Sequence, residues 1–103
     1  MRIDWSDLAL DDIDEIRHYI AKDSPFYARQ FAERVFEAAD KLLEFPMRGR
    51  TVPEADNPQI RELIVQGYRL MYRIEADRLL ILAVMHGSRD LSNPANQSWP
   101  SDD

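Results

Sequence analysis

His86 and Arg89 belong to a short segment, His86-Gly87-Ser88-Arg89-Asp90, and Arg61, Arg69 and Arg73 recur in the runs just before it. Histidine titrates near neutrality and guanidinium groups pair well with phosphate, so this set is the minimum apparatus for binding a phosphodiester and moving a proton on it. Metal-free cleavage of RNA by its own 2′-hydroxyl needs a base for that hydroxyl, an acid for the leaving 5′ oxygen, and positive charge on the phosphate. Glu54, His86 and Arg73 can be cast in those roles. The same residues have a plainer reading. By strand alternation His86 shares a face with Leu80, Leu82 and Val84, where a histidine is commonly structural. Gly87 supplies a turn conformation open mainly to glycine, and Arg89 can tie the strand end to Glu62.

These residues need a scaffold. Arg2 to Trp5, with Ile3 and Trp5 at alternate positions, reads as a first strand. Ser6 is an N-cap followed by acids, and Ala9, Ile13, Ile16 and Ile20 mark one face of a helix reaching about Lys22. Ser24-Pro25 restarts a helix, because serine caps free N–H groups and proline at the first position loses no hydrogen bond. Its stripe is Ala28, Phe31, Ala32, Val35, Ala38, Ala39, Leu42 and Leu43, until Phe45-Pro46 stops it. The short link at Asp23-Ser24 makes the two helices an antiparallel hairpin.

Met47 to Pro58 reads as a loop crossing to a sheet. Ile60 to Val65, Tyr68 to Ile74 and Leu79 to His86 then form a three-stranded antiparallel meander, joined by tight turns at Gln66-Gly67 and at Glu75 to Arg78. In the middle strand Tyr68, Leu70, Tyr72 and Ile74 share one face, expected to be core, and Arg69, Met71, Arg73 and Glu75 the other, expected to be wet. The third strand is apolar on both faces and should be central, with the N-terminal strand on its free side. The fold class is therefore α+β: an N-terminal strand, a helical hairpin and a meander, in a single domain over residues 1–91. Residues 92–103 form a polar tail expected to be weakly ordered.

At 103 residues there is room for one core. With no cysteine, disulfides, thiolate metal sites and thiol nucleophiles are excluded. The start of the chain lacks a signal-peptide apolar region and no run is long enough to span a bilayer, so a cytoplasmic, non-membrane protein is expected. The net charge of −6 argues against direct DNA binding by this chain alone. Residues 1–46 hold 11 acids and 6 bases (−5), and residues 47–91 hold 6 acids and 7 bases (+1), so the acidity sits on the helices. Gly-rich phosphate loops, GxSxG and HExxH are absent, and two histidines, His18 and His86, are too few for a histidine metal site. Neither metal nor cofactor is implied.

Several phrases stand in a fixed order: Ala9-x-x-Asp12-x-x-x-x-x-Arg17-x-Tyr19-Ile20-Ala21, Ser24-Pro25, Ala28-x-x-Phe31 and Phe45-Pro46-x-x-Gly49-Arg50-x-Val52-Pro53-Glu54. They continue with Arg61-Glu62-Leu63, Tyr68-Arg69-x-x-Tyr72-Arg73-Ile74 and Val84-x-His86-Gly87-x-Arg89-Asp90. In this order, from Ile3 to Leu91, they resemble the ParE/RelE superfamily of type II toxin–antitoxin toxins and are most similar to its ParE branch. That resemblance implies a toxin that inhibits DNA gyrase by binding it. The RelE branch, which cuts messenger RNA on the ribosome, relies on sheet lysines and arginines and often a C-terminal tyrosine. Here the last lysine is Lys41 and the last tyrosine Tyr72, a departure from RelE-type chemistry. A glutamate–arginine–histidine variety of ribonuclease in the superfamily keeps Glu54, Arg73 and His86 as the alternative set, and a non-toxic relative that only binds its antitoxin is a third. The resemblance also implies a cognate antitoxin whose tail covers the toxin. Arg50, Arg61, Arg69, Arg73, His86 and Arg89 are the candidates for contacting target or partner.

Overall fold

In the computed structural model, which describes residues 1–99, the chain runs through β1 (Arg2–Trp5), α1 (Asp7–Ala21), α2 (Pro25–Lys41), β2 (Arg50–Thr51), β3 (Ile60–Val65), β4 (Tyr68–Ile74) and β5 (Arg78–His86). Single 3-10 turns at Pro53–Ala55 and Pro94–Asn96 complete it. The five strands form one sheet in the order β1-β5-β4-β3-β2, with β1 parallel to β5 and the other pairs antiparallel. As expected, β5 is an interior strand of the sheet, flanked by β4, with β1 on its free side, while β4 is the middle strand of the meander.

Both helices begin where their serines predict. Ser6 Oγ accepts from the Ala9 N–H at 3.0 Å and Ser24 Oγ accepts from the Tyr27 N–H at 3.2 Å. Ser6 also anchors α1 to the sheet, its hydroxyl donating to the Leu82 carbonyl at 3.0 Å. The second helix ends at Lys41, short of Phe45-Pro46, and residues 42–44 continue with tighter i→i+3 bonds. Leu42 remains buried, but Leu43 points outward, since the tightened turn rotates it off the stripe. Between β3 and β4, Gln66 and Gly67 both take positive φ, 54° and 80°, the backbone of a two-residue hairpin turn whose twist matches the strands.

One core lies between sheet and helices, where Ile13, Phe31, Val35, Ala39 and Leu42 pack on Leu70, Tyr72, Leu79, Ile81 and Val84. The opposite face of the sheet, expected to be wet, carries a second core. Val52, Ala55, Ile60, Met71, Leu82, Ala83, Met85 and Leu91 are buried there, with Trp99 packed against them. The difference has a physical cause: β5 is apolar on both faces, and the segment after it folds back as cover. In that segment Asn93 caps the turn at Pro94–Asn96, Asn96 donates to the Asp90 carbonyl at 2.7 Å, and Gln97 donates to the Leu91 carbonyl at 3.0 Å. Of the tail expected to be weakly ordered, residues 93–97 form a hydrogen-bonded turn and Trp99 packs on the outer core, and residues 100–103 lie outside the described residues. The loop read from Met47 to Pro58 likewise contains β2 and a 3-10 turn. No helix among the described residues is long and apolar enough to cross a membrane.

The strand ends opposite the hairpin turn are tied by charge. Arg78 bridges Asp4, at 3.0 Å, and Glu75, which also receives Arg73 at 2.6 Å. Hydrogen bonding from Arg78 above all holds both carboxyls below their ordinary values of 3.8 and 4.5. Depressed carboxylates add stability above those values, and the gain disappears as pH falls through the folded-state values.

Two outcomes follow. Leu91→Ala is expected to cost about 2–4 kcal/mol in urea unfolding, as for a core leucine, whereas loss from a free tail would stay within about 0.5 kcal/mol. Arg78→Met should be less stable than the parent at pH 7, and in melts between pH 7 and 3 the gap should begin to narrow near pH 4.5 and keep shrinking as pH falls towards 3; a pH-independent gap would remove the charge explanation.

Candidate functional site

The orientation of His86 is decided by a bulge. Along β5, Met71 pairs with Ala83 and Tyr72 with Ile81, so Leu82 has no opposite residue. This extra residue reverses the alternation: Val84 and His86 face the helices, while Leu82 packs into the outer core. The face shared by His86, Leu80 and Leu82 under strict alternation therefore does not exist. His86 packs edge-on against Tyr68 (ring centroids 5.6 Å apart), and Tyr68 packs against Phe31 at 5.0 Å. His86 Nδ1 lies 3.2 Å from the Ser88 N–H and 2.7 Å from Ser88 Oγ. A backbone N–H only donates, so Nδ1 accepts and the ring proton is assigned to Nε2.

His86 and Arg89 line a cleft of about 320 Å³ against α1, together with Asp12, Glu15, Tyr19 and Tyr68. Asp12 does two things here. Its Oδ2 accepts the Val84 N–H at 3.0 Å, closing the edge of β5 where β1 has already ended. Burial, with the nearby Glu15 charge, raises its carboxyl pKa against the Val84 bond and the charge of Arg89. Arg89 therefore faces Asp12, not Glu62 as a strand-end tie would need. The cleft holds proton-transfer groups, but a phosphodiester entering it would meet two carboxylates and a single guanidinium, a poor electrostatic match.

The remaining candidates lie elsewhere. Arg73 projects from the outer face and pairs with Glu75. It sits opposite Leu80 whereas His86 is opposite Tyr68, five positions along β4, about 17 Å at the rise of an extended strand. Glu54 is exposed in the turn after β2, on the edge strand three places from β5. The structure does not bring Glu54, Arg73 and His86 together. Arg50 and Arg69 do converge, on Glu62, whose side chain is 1% exposed: Arg50 Nε lies 2.6 Å from Oε1 and Arg69 Nε 3.3 Å from Oε2. Arg61 is committed to carbonyls, its Nη1 donating to Gly49 at 2.8 Å and Met47 at 3.2 Å. Most of the sheet arginines thus hold the fold's own oxygens.

Reading the sequence missed two features. Asp12 appeared only as an acid at a helix start, and its place in the phrase beginning Ala9-x-x-Asp12 was the one available signal. The other is the loop at Phe45 to Met47, read as a helix stop. Phe45 and Met47 are 64% and 68% exposed, yet their backbone is pinned. The buried Tyr72 hydroxyl donates to the Pro46 carbonyl at 2.6 Å and accepts the Gly49 N–H at 3.0 Å. Gly49 is obligatory, because a Cβ there would stand 2.6 Å from the Glu62 carbonyl oxygen and from the Tyr72 hydroxyl.

A hairpin of helices laid on one face of a meander, with β1 closing the central strand in parallel, is the RelE/ParE-like toxin fold. A chain from the chromosomal ParDE TA system of P. aeruginosa has this fold with a TM-score of 0.69 at 22% identity, over 84% of this chain and 95% of that one. The model of the family described as ParE toxin of the type II toxin–antitoxin system parDE matches residues 3–91, and the chain belongs to that family. Y4kP of Sinorhizobium fredii, a protein named as a toxin, is 39% identical over 96% of this chain and 93% of its own length. Toxin RelE2 of Caulobacter vibrioides is 36% identical over 82% of this chain and 93% of its own length. This is a type II toxin, and its class implies an antitoxin partner.

Replacing Asp12 by alanine should cost about 1–3 kcal/mol by leaving the Val84 N–H without an acceptor. Asp12→Asn keeps an acceptor oxygen and should recover most of that loss in thermal melts; equal losses in both variants would show that the hydrogen bond is not what matters.

Proposed function

We propose that this chain acts by binding rather than by chemistry, inhibiting DNA gyrase directly until its antitoxin covers it. The observation that supports this is the scatter of the residues able to cleave RNA: Glu54, Arg73 and His86 occupy separate parts of the sheet, and Arg73 is held by Glu75. The carboxylates beside His86 add to it, since they disfavour a phosphodiester at that imidazole. Phe45, Met47 and Ile64 are exposed apolar side chains on a rigid frame, which is the character of a docking surface.

A second reading, ribosome-dependent cleavage of messenger RNA, draws on the relative named RelE2 and on His86 Nε2, which is turned away from the Ser88 bonds. Purified chain added to gyrase in supercoiling and DNA-cleavage assays separates the two. Inhibition at near-stoichiometric ratio, retained by Arg73→Ala, is the expected result. Unchanged gyrase activity at excess, with mapped transcript cuts on induction that vanish in His86→Ala, would establish the second reading in place of the first. Arrested growth without either effect would discard both targets.

A further inference from the structure

The cleft between α1 and the end of β5 holds uncompensated negative charge. Asp12, Glu15 and Tyr19, spaced by three and four, bring one face of α1 to it, and Tyr68, His86 and Arg89 come from the sheet side. Neither carboxylate belongs to an ion pair among the described residues, and the exposed Arg89 forms none either. His86 accepts the Ser88 N–H through Nδ1, so with the ring neutral two carboxylates stand against one guanidinium. Asp12 Oδ2 is occupied by the Val84 N–H, whereas Oδ1 takes no hydrogen bond among the described residues. Aromatic rings lie beside this charge. Tyr19 is 67% exposed, and the Tyr68 ring is fixed by edge contacts with Phe31 and His86 at 5.0 and 5.6 Å.

We propose that this cleft receives one arginine side chain of the target protein, its guanidinium held by the Asp12 and Glu15 carboxylates and stacked on Tyr19. The proposal rests on the reading of this chain as an inhibitor that binds gyrase, and it names the chemistry of one contact. The cleft, about 320 Å³, is at the low end of the range of about 300–1,000 Å³ for small-molecule pockets, a size suited to a single long side chain. A guanidinium answers both features of its walls, since it is planar and weakly hydrated, pairs with carboxylates through forked N–H donors, and stacks on aromatic faces. Such a group is available on the target. An enzyme that acts on DNA presents arginines and lysines to the phosphates, and a toxin whose first 46 residues sum to −5 is drawn to that surface. A second copy of this chain is the poorer occupant, because Arg50, Arg61, Arg69, Arg73 and Arg78 are held by its own oxygens and both copies carry −6.

The test measures inhibition of gyrase supercoiling by the full-length wild type, Glu15→Lys, Tyr19→Ala and Asp14→Lys, with circular dichroism checking each fold. Asp14→Lys makes the same change of charge at the neighbouring position, which faces the groove at Ala32 and Phe36 instead of the cleft. Glu15→Lys should raise the half-inhibiting concentration by about tenfold or more and Tyr19→Ala by a smaller factor, while Asp14→Lys inhibits as wild type does. A second arm needs no gyrase: N-acetyl-arginine methylamide is titrated into isotope-labelled wild type and followed by NMR, with N-acetyl-citrulline methylamide as its uncharged counterpart. Saturable shifts at Tyr19, Tyr68 and His86 should appear with the arginine probe alone and vanish in Glu15→Lys. Equal shifts with both probes, or equal loss of inhibition in Glu15→Lys and Asp14→Lys, would overturn the proposed contact. Loss of antitoxin binding in Glu15→Lys with gyrase inhibition unchanged, or self-association that Glu15→Lys abolishes, would give the cleft to those occupants and overturn it as well. A wild type without effect on gyrase would overturn gyrase as the target, and binding of the arginine probe would then still establish the cleft as a seat for a guanidinium.

Discussion

Strand β5 carries apolar side chains on both faces, and a sheet built around it cannot leave either face, or either edge, to water. The rest of the chain is arranged by that need. The helical hairpin covers one face, and Leu91 with the segment to Trp99 covers the other. On one edge lies β4. The opposite edge is closed piecewise, first by parallel pairing with β1, then by the Ser6 hydroxyl on the Leu82 carbonyl, and last by the Asp12 carboxylate on the Val84 N–H. The bulge at Leu82 belongs to the same solution, since it lets β5 feed both cores while staying in register with β4.

This closure bears on function through the charged groups. With the sheet covered on both faces, arginines that would form a basic surface are drawn into internal work: Arg50 and Arg69 onto buried Glu62, Arg61 onto the carbonyls of Met47 and Gly49, and Arg73 and Arg78 onto Glu75. A catalytic phosphate site needs cations whose charge is still available to a ligand. Arg34, Lys41 and Arg48, which make no ion pair among the described residues, instead line a groove beside Ala38, Leu63 and Val65. Exposed Phe45 and Met47 are held on a backbone that Tyr72 fixes from beneath, which makes that loop a preformed relief.

Much of the architecture was legible because it depends on local chemistry. Serine caps at Ser6 and Ser24, proline after Ser24, four-turn apolar spacing, and Gln66-Gly67 between β-rich runs act within a few residues, and the structure has them where the residues placed them. That β5 lies inside the sheet was legible too, since a strand apolar on both faces has no stable place at an edge. The candidate site was much less so. Its residues come from α1, β4 and the end of β5, and one uncounted residue, Leu82, turned His86 from the expected face to the other.

The order of elements, the hairpin, the meander and the family kinship were therefore determined by the sequence itself, because caps, breakers and periodicities are short-range. Only the tertiary structure decided that the outer face is a second core, that Asp12 closes a strand edge, that Glu54, Arg73 and His86 stand apart, and that Glu62 gathers two arginines. Each of these depends on which strands pair, in what register, and with what bulge. An arginine's role is fixed by the oxygen it meets across the sheet, and no spacing along the chain specifies that meeting.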